Sequence, residues 1–467
     1  MSPTAEGAKL SVYDVFTPTS PAKANFVARD AELENRLVDC LRTPGKQVIV
    51  YGETGSGKSS LLEHKLAQLY PQHVTTRCTA GSTFDSIMLD AFDQMDSWYV
   101  ESYSKTTPDS RKGKIEATLG FVKAGLEGMG GQSQTNSKRL LPPQLTVQRL
   151  GEIMGEMGFC WLLEDFHKVP AAEKLHISQM FKVFSDLSSS YRSLKVIAVG
   201  ATDTAREVVE YDREMKNRVA EVLVPLMRDD ELRAILSHGG NLLNVSFDMI
   251  STDIVRFSAG LPSVCHNFAL SSCVSRGVYD LQSSTIAMNQ NDCDKAIKRY
   301  VEESSDTLKA SFEKALKRHR TRKFDNCRLI LVALSELEPE GATHAEILGV
   351  IRQSHPDYPA SNLANYLHAL TTEARGSIIR KSAAGTYRFS EPIFRSYAQA
   401  RLVPQAAHQR IFGGHLSKAF SRSLYESVIE FTRALKTEPL PGTTLASGMG
   451  LVINPGEPVR RLSSADD

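Results

Sequence analysis

Between Gln47 and Leu69 the chain reads QVIVYGETGSGKSSLLEHKLAQL, and this stretch constrains the fold more tightly than any other. Gln47 to Tyr51 is apolar and β-branched, the signature of a short buried strand. Leu61, Leu62, Leu66 and Leu69 then recur at helical spacing. Between strand and helix the residues match G-x-x-x-x-G-K-[ST] at Gly52, Gly57, Lys58 and Ser59. Gly52, Gly55 and Gly57 let the backbone curl around an anion without Cβ clashes. The loop N–H groups of Glu53, Thr54 and Ser56 then turn inward, and the helix opening at Lys58, Ser59 and Ser60 adds its positive dipole end. Lys58 can reach the outer phosphates of a nucleoside triphosphate, and Ser59 can ligate Mg²⁺.

Such a loop needs an acidic partner at the end of a neighbouring strand. GFCWLLEDFHKV (Gly158 to Val169) supplies an apolar run closed by Glu164 and Asp165. One carboxylate can hold the Mg²⁺ water shell and the next can orient an attacking water, which makes Ser59, Glu164 and Asp165 the expected metal set. The usual order is Asp first; here Glu precedes Asp, so Asp165 is the shorter base. Three further strands are expected, at HVTTRC, at LKVIAVG and at AEVLVPLM (Ala220 to Met227). Strands alternating with helical segments predict a parallel sheet covered on both faces.

These motifs, in this order, resemble the AAA+ P-loop ATPases, within the group shared by initiator-type and STAND-type proteins. FVARDAEL (Phe26 to Leu33) is similar to that family's F-x-G-R-x-x-E-L lead-in, with Ala28 in place of the glycine. The resemblance implies that Phe26 and Arg29 belong to a box that packs on adenine. It implies that Thr202 or Asp203 serves as a sensor beside the γ-phosphate, and that Arg218 is an arginine finger completing the site of an adjacent subunit. A surface ion pair is the alternative role for Arg218. FSAGLPSVCHNFAL (Phe257 to Leu270) has Ser263 where initiator-type members carry a sensor arginine. Gly260-Leu261-Pro262 instead fits the G-x-P of STAND lids and makes Pro262 a nucleotide contact; His266 either faces the nucleotide or packs in the core.

The fold class expected is α/β: a P-loop AAA+ parallel-sheet core with a helical lid, then an α+β winged-helix domain and a helical or flexible tail. The boundaries are an N-terminal extension (1–25), the core (26–227, with a polar, glycine-rich insertion at about 104–144), the lid (228–305), a basic connecting helix (306–326), the winged helix (327–403) and the tail (404–467). LKASFEKALKRHRTRKFDN (Leu308 to Asn326) reads as one helix with a basic end. In the winged helix, Thr343 is the expected N-cap of the second helix. The third, SNLANYLHALTTE, carries neither Lys nor Arg, and GSIIRKSAAGTYRFS reads as a hairpin tipped by SAAG.

A net charge of +1 gives no global pull towards nucleic acid or an anionic membrane. Seven scattered cysteines fit reduced thiols of a cytoplasmic protein, the N-terminus lacks the pattern of a secretory signal, and no apolar run is long enough for a membrane span. The leading expectation is an ATP- and Mg²⁺-dependent molecular switch. Its nucleotide state would control homo-oligomerisation through Arg218, with a protein partner on the winged helix or tail. The alternative is an initiator or loader that grips duplex DNA with the winged helix and the basic segment at Lys317, Arg318 and Arg320. A third is an ATP-binding scaffold with negligible turnover.

Overall fold

A computed structural model describes residues 10–70, 72–95, 146–201, 213–318 and 323–403, with the side chains of 213 and 214 excepted. The insertion, the tail and both expected sensor residues, Thr202 and Asp203, lie outside these residues.

Five strands form one sheet: β1 (Gln47–Tyr51), β2 (His73–Arg77), β3 (Cys160–Glu164), β4 (Lys195–Gly200) and β5 (Val219–Leu223). Their order is β2-β3-β4-β1-β5, and every neighbouring pair is parallel. Alternation along the strands sends successive side chains to opposite faces. Ile49, Trp161, Leu163, Val196 and Ala198 join one core with α4 (Phe84–Gln94), α5 (Val147–Met157) and α6 (Ala171–Leu187). Val48, Val50, Leu162, Ile197 and Val199 join a second with α2 (Ala31–Arg42) and α3 (Lys58–Leu69). With both faces covered, the central strands β1, β3 and β4 are largely apolar, which is why they are readable as hydrophobic runs. The core is a parallel α/β sheet layered between helices, with the glycine loop joining β1 to α3. The last strand is shorter than expected: β5 ends at Leu223, two residues before Pro225, which has no N–H to give a ladder.

The lid consists of α7 (Asp229–Leu243), α8 (Ser251–Ser258), α9 (Pro262–Arg276) and α10 (Gln290–Glu303). It also contains a short parallel pair, β6 (Val245–Ser246) with β7 (Ile286–Ala287), that helical periodicity does not announce. The N-terminal segment is part of this body. Val12, Val15 and Phe16, in and after the short helix α1 (Val12–Val15), are fully buried in the lid core, and the Val12 N–H donates to the Tyr279 carbonyl at 2.7 Å.

The expected connecting helix stops early. Helix α11 spans Asp306–Leu316, buries Leu308, Phe312 and Ala315, and ends at Lys317. Neither Lys317 nor Arg318 continues the buried apolar stripe, so packing no longer supports the helix there. A helical trio follows: α12 (Asn326–Glu336), α13 (His344–Ser354) and α14 (Ala360–Leu370). Thr343 caps α13 in a reciprocal capping box with Glu346. An antiparallel hairpin, β8 (Ile379–Lys381) and β9 (Tyr387–Phe389), and a last helix, α15 (Pro392–Leu402), complete the segment in which the sequence places a winged helix. Its apolar residues are continuous with the lid core, and the Ser396 hydroxyl donates to the Tyr300 hydroxyl at 3.1 Å.

Candidate nucleotide site

Parallel strands deliver the loops at their C-terminal ends to one edge of the sheet, and the glycine loop at the end of β1 lies there. Its three glycines all have positive φ: 154° at Gly52, 81° at Gly55 and 90° at Gly57. A Cβ at Gly52 would collide with the Val224 carbonyl, and one at Gly55 would lie 2.6 Å from the Ser263 hydroxyl. Glycine is therefore required both by backbone conformation and by close approach. Lys58 Nζ donates to the carbonyls of Gly52 at 3.0 Å and Glu53 at 2.8 Å. Burial lowers its pKa, and the charges of Glu53 and Asp165 pull it back up.

A cavity of about 380 Å³ opens beside the loop. Gly55, Gly57, Lys58, Ser59 and Ser60 form one wall, and Pro262, Ser263 and His266 from α9 face them. Arg77 and Glu164, from the ends of β2 and β3, close a third side, with Arg77 Nε 3.3 Å from Glu164 Oε2. Thus Ser59 and Glu164 share the cavity. They are hard oxygen donors of the kind Mg²⁺ takes alongside phosphate oxygens and water. Asp165 is not in the cavity wall. It sits at φ 55°, and its carboxylate lies 2.7 Å from Lys168 Nζ.

The lead-in box is divided between two tasks. Phe26 lines the cavity and stacks on the His64 ring, centroids 4.0 Å apart. Arg29 also borders the cavity, but its guanidinium is committed to protein groups. It donates to Ser56 O at 3.0 Å, to Pro225 O at 2.8 Å and to Glu231 Oε1 at 3.2 Å. It therefore ties the glycine loop to the first turn of α7. Arg218 lies at the opposite end of the sheet. Its carbonyl accepts from the N–H of Gln47, where β1 begins, and its guanidinium pairs with Asp186 at 2.5 Å. One strand of about 16 Å separates it from its own glycine loop.

Two contributions escaped the sequence reading. The segment Thr17 to Ala22 forms a cavity wall, pinned where the Ala22 N–H donates to Ser60 Oγ at 3.1 Å and the Thr17 N–H to His266 Nδ1 at 3.1 Å. The segment has no periodicity, so only its tertiary path reveals it. Arg77 was visible as the end of an expected strand, but pairing with Glu164 depends on β2 lying next to β3.

The residues present fit a nucleoside triphosphate with Mg²⁺: a cradle only glycine permits, a lysine inside it, and Ser59 with Glu164 across the same cavity. No family model and no curated protein matches the sequence. Solved structures do. A Walker-type ATPase of Pyrococcus abyssi is 15% identical over 82% of this chain and 99% of its own, at a TM-score of 0.45. Cdc6p of Pyrobaculum aerophilum is 15% identical over 84% and 98%, at 0.41. The Orc1 protein of Aeropyrum pernix, solved in complex with DNA, is 12% identical over 85% and 98%, at 0.38. No helix among the described residues is long and apolar enough to cross a membrane.

Proposed function

We propose that the protein is an ATP-binding and ATP-hydrolysing switch of the AAA+ type whose nucleotide state governs assembly with copies of itself. The observation that carries this reading is the glycine loop, held at positive φ against Val224 and Ser263, with Lys58 inside it and Glu164 facing it across one cavity. Lys58, Ser59 and the loop N–H groups hold the phosphates. Glu164 joins Ser59 at the metal, and Asp165, the next carboxylate, orients water once Lys168 releases it. Bound Mg²⁺ would supply charge neutralisation of the phosphates. Phe26 and Pro262 flank the nucleotide. Residues 327–403 form the winged helix in this reading.

Calorimetric titration with ATP–Mg²⁺ tests the site. Wild type binds, and Lys58→Ala loses about 2 kcal/mol or more, because a charge-assisted contact to phosphate is gone. Unaltered binding by Lys58→Ala would discard the assignment. Phosphate release then separates a working ATPase from a scaffold: Asp165→Asn and Glu164→Gln each lower turnover in the first case and change nothing in the second.

The DNA-gripping alternative is less well supported by the side chains. Arg318 is paired with Asp325 and Lys323 with Asp357, while Arg375 donates to the carbonyls of Ala315 and Lys317 at the end of α11. Helix α14, the groove-reading position of a winged helix, has no Lys or Arg to neutralise phosphate. Salt-sensitive affinity for duplex DNA, lost on substituting Lys317 and Arg318, would restore that reading.

A further inference from the structure

His266 is only 4% exposed, yet it belongs to the cavity wall. Its surroundings fix its tautomer. A backbone N–H can only donate, so the bond from Thr17 N to Nδ1 makes Nδ1 an acceptor and leaves the ring proton on Nε2. Nε2 has no hydrogen-bond partner among the described residues. Burial alone pushes the pKa down to about 4, so the ring stays neutral near pH 7. The Phe16 ring, edge-on at 5.9 Å, holds its orientation. Thr17, which pins it, has a buried hydroxyl with no partner and lines the same cavity. Buried hydroxyls are normally satisfied, so an orphan at a cavity wall points to something that enters the cavity.

Position along α9 says which part of a ligand these groups meet. Pro262 and Ser263, in the first turn, abut the glycine loop. His266 lies about one turn, roughly 6 Å, further along the helix, beyond the phosphate cradle. We propose that His266 Nε2–H and the Thr17 hydroxyl bind the nucleoside half of the nucleotide whose phosphates the glycine loop holds. This rests on the nucleotide reading above. The imidazole is a donor that cannot switch to an acceptor, because Thr17 occupies its other nitrogen. It therefore selects a nucleoside presenting an acceptor, a purine ring nitrogen or a ribose oxygen, at that place. The N-terminal segment is then part of the recognition surface.

The test compares ATP–Mg²⁺ with inorganic tripolyphosphate–Mg²⁺ by calorimetry on the full chain. Losing one hydrogen bond of this kind predicts about tenfold weaker ATP binding for His266→Leu, with tripolyphosphate affinity kept within about twofold. His266→Gln, which retains a donor of similar reach, recovers part of the loss. Thr17→Val removes only the hydroxyl, and removing an unsatisfied polar atom leaves thermal stability unchanged or higher, while ATP binding weakens about threefold. That variant decides the matter if His266→Leu does not fold. ATP affinity unchanged in both variants, or equal losses for ATP and tripolyphosphate, would overturn the proposal. A wild-type chain that binds neither probe fails the nucleotide reading itself. One that binds both equally keeps the phosphate site and refutes recognition of the nucleoside.

Discussion

The guanidinium of Arg380, on β8, lies 3.4 Å from the carboxylate of Glu53, the residue after Gly52 in the glycine loop. The two are 327 positions apart, and their contact joins the C-terminal hairpin to the glycine loop. Glu53 is the one acid within the loop, and its carbonyl also accepts from Lys58. Arg380 offsets a negative charge that would otherwise oppose a polyanion beside it.

Removing Arg380 should therefore weaken triphosphate binding while barely touching stability. Both side chains are partly exposed, and such pairs contribute about 0–1 kcal/mol. Arg380→Ala is expected to lower ATP affinity up to about fivefold, and Glu53→Gln to restore it in the double variant. A double-mutant cycle by titration checks this; additive single effects would show that the pair does not act as one unit.

Arg29 carries a larger stake. Its pair with Glu231 is buried on both sides, and it also satisfies Ser56 O and Pro225 O. Arg29→Met leaves a buried carboxylate unpaired, a change that costs about 3–5 kcal/mol. Adding Glu231→Gln should recover a large part, measured as the midpoint of chemical denaturation. If Arg29→Met alone is neutral, the tie between loop and lid is not structural.

Glycine positions separate two costs that sequence cannot distinguish. Gly158 ends α5 at φ 69° with nothing within 4 Å of a Cβ, so Gly158→Ala should cost about 1–2 kcal/mol, the conformational penalty alone. Gly52→Ala adds a collision with the Val224 backbone and should lose clearly more, together with nucleotide binding. Thermal unfolding of the two variants gives the comparison; equal losses would mean the loop yields.

Local chemistry explains what was legible in the chain. The loop, β1 and α3 were readable because strand, glycine turn and helix are contiguous, and Thr343 announced its helix as an N-cap. Arg29 was readable as part of a box but not in its use, since its partners Pro225 and Glu231 are about two hundred residues away. The wall from Thr17 to Ala22 and the Arg380–Glu53 contact depend wholly on tertiary path. The helix expected through Asn326 ends at Leu316, because its buried stripe of Leu308, Phe312 and Ala315 has no apolar successor at Lys317 or Arg318.

Protonation of His266 gives a pH prediction with a definite sign. The folded pKa of about 4 lies below the unfolded value near 6.5, so between these limits the unfolded chain binds more protons. Its contribution to stability is complete above about pH 6.5 and declines as pH falls towards 4, by up to about 1.4 kcal/mol per unit. The slope of unfolding free energy against pH should shrink in His266→Gln by close to one proton. An identical slope in the variant would assign the acid sensitivity to other groups.

Arg218 can act on a nucleotide only in another copy of the chain, because β1 lies between it and its own glycine loop. In the single chain it rests on Asp186, a partly exposed contact that assembly could exchange for a phosphate at modest cost. Arg218→Ala should bind ATP like wild type yet lose the ATP-dependent rise in molar mass and most of its phosphate release. Mixing gives the sharper result. Lys58→Ala subunits lack a working site but retain Arg218, and Arg218→Ala subunits have the reverse. If the residue works between subunits, the mixture releases phosphate faster than either variant alone. A mixture no better than its parts, with Arg218→Ala still turning over normally, would reduce Arg218 to its ion pair with Asp186 and leave the assembly signal to be sought elsewhere on the surface.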